Sequence, residues 1–298
     1  MALPDKIGFR HYLLTRFNLP LSSRPEGDSA NVLGDAYLSY RFKLFENFCL
    51  PSVRNQSNQD FKWLILFDIN TPDTYKRKAE EWHKSYSNLI PCYLDTNYYG
   101  GLPFNRENGY DVDTDCAMLD ITQRFIADVI STLEDFPKEW RLTTRLDSDD
   151  ALRYDLIDTI QKAFSENPGN AAYDFVYTYK YVPKERICYR YSLINGHYIT
   201  LAEQTEKTTR SVLFCNHLEM DRHVPVYHFY SRPRQLELIH GKNVVNGYTD
   251  LTLSGLLYAI FHFRGKDFAL DAVRYSRIKA LIMIGSLIKQ NLLRLWRR

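Results

Sequence analysis

The 298-residue chain is poor in cysteine, lacks any long apolar run and carries almost no net charge, and each shortage narrows what it can be. Its five cysteines (Cys49, Cys92, Cys116, Cys188, Cys215) are scattered, odd in number and never in a C-x-x-C pair. That excludes a disulfide scaffold and a compact zinc knuckle, and it reads as the reduced thiols of a cytosolic protein. The opening MALPDKIGFRHYLL has no basic stretch followed by an apolar one, so no signal peptide is expected. The longest uncharged, mostly apolar stretches are Leu251–Phe263 and Ala280–Ile288. Both fall well short of the roughly 20 residues a membrane-spanning helix requires. Repeats and low-complexity segments are also missing. At 45% hydrophobic and 25% charged residues, the chain has the composition of a globular protein.

The formal net charge of +2 hides an uneven distribution. Residues 271–298 hold seven basic residues and one acid, a local charge of +6. The remaining 31 basic and 35 acidic residues leave the body at −4. The chain therefore divides into an acidic body, 1–270, and a basic apolar tail, 271–298.

Along the body, apolar strands alternate with amphipathic helices. Strands are expected over Phe9–Phe17, Phe61–Phe67, Leu89–Leu94 and Arg141–Leu146. Helices are expected over Tyr37–Phe48 (ended by Pro51), Thr74–Tyr86, Leu119–Leu133 and Leu152–Phe164. Thr96–Asp115 reads as a long loop. Strand-like segments follow at Phe175–Val182, Ile187–Leu193 and Gly196–Leu201. The alternation implies an α/β fold with a mostly parallel, mixed, Rossmann-like sheet flanked by helices. Such sheets bind ligands at the carboxyl ends of their strands, which directs attention to 15–18, 68–71 and 147–150.

Arg145-Leu146-Asp147-Ser148-Asp149-Asp150 is the most informative hexapeptide. Three carboxylates within four residues repel one another unless something neutralises them. In this strand-to-turn setting Asp147 and Asp149 are expected to project to one side, because strand side chains repeat every two residues. Two hard oxygen ligands with open positions suit Mg²⁺ or Mn²⁺ shared with a diphosphate. Arg145 is placed to meet a phosphate or to hold a carboxylate. The competing reading is that DSDD only caps a helix starting near Ala151. Asp111–Asp115 has the start of a calcium loop, but Cys116 and Thr122 stand where Gly and Glu are required, so it is read as a solvated loop.

Other polar residues carry weaker signals. Asp68 ends the Phe61–Phe67 strand and either caps the next turn or contacts a nucleoside. His240 precedes a glycine turn and is within reach of a metal or phosphate, or is structural. Lys242 beside it is a phosphate contact or a solvated turn residue. Cys215–His223 concentrates acid/base groups without zinc-ligand spacing. Within it, Glu219 or Asp221 could deprotonate an acceptor hydroxyl, against the plainer reading of a charged loop.

These segments, in this order, resemble a bacterial family of rhamnosyltransferases, which are glycosyltransferase-A-like enzymes. The likeness spans residues 9 to about 245. It is carried by HYLLTRFN (His11–Asn18), Leu50–Gln59 leading into FKWLILFDINTP (Phe61–Pro72), TTRLDSDDAL (Thr143–Leu152) and QLELIHGKN (Gln235–Asn243). The resemblance implies a glycosyltransferase-A-like catalytic domain over 1–270 and a nucleotide-diphosphate-sugar donor. It also implies a divalent cation, Mn²⁺ or Mg²⁺, bridging the donor phosphates. Thr15, Arg16, Asn18 and Asp68 match the nucleoside-holding positions, with Arg145, Asp147 and Lys242 towards the diphosphate. Asp147, Asp149 and the adjacent Asp150 match the D-x-D metal ligands, and His240 looks like the histidine that completes the site. An acceptor hydroxyl would attack the anomeric carbon, with Glu219 or Asp221 as base if the reaction inverts. Rhamnose is the sugar in the family name, although nothing in 173–223 selects a sugar.

From Tyr275 to Trp296, Ile278, Leu281, Ile282, Ile288, Leu292, Leu295 and Trp296 recur at helical spacing between basic residues. Such a helix either docks on an anionic membrane surface, apt for a lipid-linked glycan acceptor, or packs on the body. The first alternative places a cytoplasmic enzyme of polysaccharide biosynthesis peripherally on the inner face of the membrane. Two other functions use the same residues: a metal-dependent nucleotide-sugar phosphohydrolase, and a non-catalytic carbohydrate-binding protein. No nucleic-acid partner is expected.

Overall fold

The computed structural model describes residues 8–19, 32–100, 112–134, 138–207, 210–240, 251–270 and 275–296. Its centre is a seven-stranded sheet in the order β10-β6-β9-β4-β1-β2-β3. The strands are β1 (Phe9–Arg16), β2 (Lys62–Asp68), β3 (Leu89–Leu94), β4 (Trp140–Arg145), β6 (Ala171–Phe175), β9 (Thr200–Gln204) and β10 (Val226–Phe229). β3, β2, β1 and β4 run parallel. β9 is antiparallel to both β4 and β6, which makes the sheet mixed. A second sheet holds β5 (Ala151–Leu152), β11 (Gln235–Leu238), β7 (Tyr177–Val182) and β8 (Ile187–Ser192). This is the α/β architecture, mostly parallel and flanked by helices, that the alternation of strands and helices implies.

Parallel strands buried on both faces read as unbroken apolar runs, and Trp63–Phe67 is such a run. Its residues divide by parity. Trp63 and Ile65, with Leu13 of β1, pack against α1 (Asp35–Leu44), α3 (Asp73–Ser85) and α5 (Leu156–Glu166). Leu64 and Leu66, with Tyr12 and Leu14, face α4 (Val112–Leu133) and the 212–224 segment. Each fully buried aliphatic side chain here contributes roughly 1.5–3 kcal/mol. The second sheet carries a separate core under α6 (Leu253–His262) and α7 (Arg277–Trp296). Gly255 lets α6 sit on β8: a β-carbon there would lie 2.3 Å from the Arg190 carbonyl oxygen. The thiols of Cys49, Cys92, Cys188 and Cys215 are free.

Several boundaries differ from expectation. The first helix does not stop at Pro51; it passes through a π-helical turn (Phe45–Cys49) into α2 (Leu50–Arg54). Pro51 is tolerated because it falls in the first turn of the restarted helix, where its missing N–H has no partner to lose. α4 begins at Val112 rather than Leu119, so the supposed loop Thr96–Asp115 is helical at its end. α5 begins only at Leu156, because Ala151–Leu152 pairs with β11 as a strand.

Candidate functional site

The chain steps from β1 outward to β2 and β3, then returns across β1 to place β4 on its other side. The order therefore reverses between β1 and β4, and in α/β sheets the crevice beyond such a reversal is where ligands bind. Arg16 ends β1 and Arg145 ends β4, one on each side of that reversal.

Past Arg145 the strand gives way to a turn, closed by the Asp150 N–H donating to the Asp147 carbonyl oxygen at 3.2 Å. The strict alternation expected for Asp147 and Asp149 lapses there, and the three carboxylates part company. Asp147, a third exposed, faces back to Arg145 at 3.2 Å. Burial opposes its ionisation, yet Arg145, with His197 and Arg16, holds its pKa below the ordinary value. Asp149 is grasped by Arg41 of α1: Nη1 donates to Oδ2 at 2.8 Å and Nη2 to Oδ1 at 3.1 Å. His240 Nε2 lies 2.8 Å from the same Oδ2, and His240 Nδ1 lies 3.0 Å from the Tyr40 hydroxyl. Burial again opposes the charge on Asp149, but Arg41 and His240 outweigh it and keep this carboxylate ionised. Asp150 turns inward, where its Oδ1 accepts the Leu238 N–H at 3.0 Å. Burial, then the charges of Asp149, Asp147 and Glu237, push its pKa well above the carboxylate range.

Behind this turn lies the polar face of the second sheet. Leu236 and Leu238 of β11 enter an apolar core with Tyr179 and Tyr181, so the residues between them face the other way. Glu237 stands in register with Lys180, 3.9 Å away, and accepts the Tyr191 hydroxyl at 2.5 Å. His197 and His217 complete the surroundings with ring centroids 4.7 Å apart. His217 Nδ1 pairs with the Asn195 carbonyl oxygen at 2.6 Å. Burial, helped by the charge of Arg145, lowers its pKa to about 3.

The other expected site residues are distributed differently. Thr15 is fully buried and its hydroxyl accepts Trp63 Nε1–H at 2.9 Å, a bond internal to the sheet. Asn18 ties the ends of β1 and β2, donating to Thr71 Oγ1 at 3.0 Å and accepting the Asp68 N–H at 3.2 Å. Asp68 accepts the Asn70 N–H at 2.7 Å and so caps its own turn. DSDD caps no helix, since β5 intervenes before α5. Glu219 and Asp221 lie in an exposed 3-10 turn (His217–Arg222), where Glu219 pairs with Arg222. That segment meets the site through His217 instead. Lys242 lies outside the described residues. Arg41, Lys180, Tyr191, His197 and Glu237 escaped sequence reasoning, because each meets its partner across large sequence separations or lies amid apolar residues.

Residues 10–97 and 118–249 match the protein family described as "Putative rhamnosyl transferase". The chain belongs to that family. No curated protein matches it. Among solved structures, it is similar to the bifunctional glycosyltransferase WbbM in its apo form: 11% identity and TM-score 0.30 over 59% of this chain and 24% of that one. It is also similar to TarS of S. aureus in complex with UDP-GlcNAc: 9% identity and TM-score 0.37 over 78% and 60%. A third is a "putative nucleotide-diphospho-sugar transferase" from Desulfovibrio desulfuricans: 11% and 0.36 over 95% and 97%. The chain thus spans less than two thirds of the first two.

The resemblance to glycosyltransferases implies a divalent cation held by Asp147, Asp149, Asp150 and His240. In this rhamnosyl transferase family member those groups do not fit such an ion as they stand. Among the described residues no three His, Cys, Asp or Glu side chains converge on one point. Asp150 is turned away to the Leu238 N–H, Asp147 faces Arg145, and both oxygens of Asp149 are taken by Arg41. Displacing Arg41 would strand a guanidinium only 16% exposed. Uncoupling a buried ion pair costs about 3–5 kcal/mol, which would weaken a cation by roughly two to more than three orders of magnitude.

The raised pKa of Asp150 ties stability to pH. Its folded pKa exceeds the unfolded value of about 3.9, so the native state binds more protons and stability declines as pH rises above that point. Asp150→Asn keeps the acceptor for Leu238 and cannot ionise. In urea melts it is expected to gain on the wild type as pH rises above about 4. A difference that stays constant with pH would show that the Asp150 pKa is not raised.

Proposed function

We propose that the chain is a glycosyltransferase that moves a sugar from a nucleotide-diphosphate donor to an acceptor hydroxyl. Its family membership supports the reaction class. The observation that carries the site assignment is the pair Arg16 and Arg145 at the ends of the two strands flanking the order reversal. Guanidinium groups match phosphate oxygens in charge and fork geometry. As the acceptor oxygen bonds to the anomeric carbon, the bond from that carbon to the diphosphate breaks, and negative charge grows on the departing oxygen. Pre-positioned guanidinium groups stabilise that charge without reorganising. No step here is routed through a metal. Rhamnose is the sugar favoured by the family description.

A phosphohydrolase working at the same carboxylates is less well supported. It needs a free carboxylate to activate water, whereas Asp147 and Asp149 are tied to arginines and Asp150 is turned inward to the Leu238 N–H.

Thermal shift with a panel of UDP-, GDP- and dTDP-sugars checks the donor. One nucleotide at about 100 times its dissociation constant should stabilise the protein by about 2.7 kcal/mol. Arg145→Ala should weaken that binding roughly ten- to a hundredfold, as expected for a lost hydrogen bond to a charged group. A panel without any response would refute the transferase reading.

The acceptor fits a glycan presented at an anionic lipid surface. No helix among the described residues is long and apolar enough to cross a membrane. α7 instead buries Ala280 and Ile284 against the second sheet's core and exposes Ile278, Leu281, Ile282 and Ile288. Arg277, Lys279 and Lys289 lie among these exposed apolar residues, so the charge suits anionic headgroups. Removing residues 275–298 should abolish co-sedimentation with anionic vesicles; unchanged sedimentation would exclude this role for the helix.

A further inference from the structure

Within the donor site proposed above, one residue stands where a cation would be expected. We infer that Arg41 occupies Asp149 in place of a divalent ion, and that this transferase meets its donor diphosphate with guanidinium groups rather than with a bound metal.

Two observations carry this. First, the Arg41–Asp149 contact is a two-pronged fork in a site where Arg41 is 16% and the Asp149 side chain 10% exposed. Arg41 Nη2 also donates to Ser148 Oγ at 2.5 Å, so the guanidinium is held by the turn itself as well as by the carboxylate. Second, the histidine that could complete a metal site is committed elsewhere. Both of its ring nitrogens are within hydrogen-bond reach of other groups, Nε2 of Asp149 and Nδ1 of the Tyr40 hydroxyl. Tyr40 and Arg41 are consecutive in α1, so one turn of one helix fastens both His240 and Asp149.

Arg41 acts here through Asp149, as a positioning residue that keeps the DSDD turn closed. The test is a titration of the full chain with Mn²⁺ alone, followed by electron paramagnetic resonance, in parallel with nucleotide affinities measured in EDTA and in Mn²⁺. Wild-type protein should take up no Mn²⁺ that Asp149→Asn removes. Arg41→Gln, which frees both Asp149 oxygens, should acquire a Mn²⁺ site that Asp149→Asn in the same chain abolishes. Nucleoside diphosphate affinity should change by no more than about twofold between EDTA and Mn²⁺. A wild-type Mn²⁺ site lost in Asp149→Asn would overturn the inference, as would nucleotide binding that requires Mn²⁺. Should Arg41→Gln fail to fold, the wild-type and Asp149→Asn titrations still decide the matter. If no nucleotide binds under either condition, the donor assignment fails, while the Mn²⁺ titration continues to judge Arg41.

Discussion

The fork that Arg41 sets on Asp149 is the interaction on which the rest of the site depends. Three carboxylates crowd the four residues after β4, in surroundings with little water to screen them. The fold disposes of each differently: Asp147 keeps partial exposure and an arginine, Asp149 takes two cationic or polar partners, and Asp150, its pKa raised, turns inward to the Leu238 N–H. Remove the fork and a buried charge is left uncompensated, which is far more costly than losing an exposed ion pair. The turn, the seat of His240 and the entry into β5 all hang on that neutralisation.

The same turn joins the two sheets. Asp150 reaches forward to the Leu238 amide, so β11 is bonded to the end of β4 through a side chain as well as to β5 through its backbone. The polar face of the second sheet, with Lys180 and Glu237, is thereby brought up behind the crevice at the reversal of strand order. Arg16 and Arg145 end the strands on either side of that reversal, with those strands as rigid supports. A diphosphate arriving there would meet guanidinium groups whose positions are set by sheet geometry rather than by flexible loops.

Much of this was legible in the sequence, for identifiable reasons. Strands such as Trp63–Phe67 are apolar at every position because both faces are covered, and that pattern is hard to mistake. TTRLDSDDAL stood out because an apolar strand ran straight into like charges. The geometry of those charges was not legible. Parity predicts one side for Asp147 and Asp149 only while the ladder continues, and it stops at Arg145. Arg41 escaped because its partner is 108 residues away and α1 otherwise reads as an amphipathic core helix. Glu237 had a faint signal: two polar residues alternating with Leu236 and Leu238 in a strand buried on both faces. Glu219 and Asp221 drew attention by local density of charge, yet burial, not density, marks the groups at the crevice. His217, in the same segment, is the buried one.

The near-zero net charge takes on a definite meaning in this light. It sums a basic C-terminal segment and a body whose most conspicuous acids are paired from within. That internal neutralisation can be read directly by NMR of aspartate carboxyl-labelled protein, with Asp149→Asn and Asp150→Asn chains to assign the signals. The account predicts that the Asp149 carboxyl titrates below the ordinary carboxylate value and the Asp150 carboxyl well above it. Two carboxyls titrating together near the ordinary value of about 3.9 would contradict it.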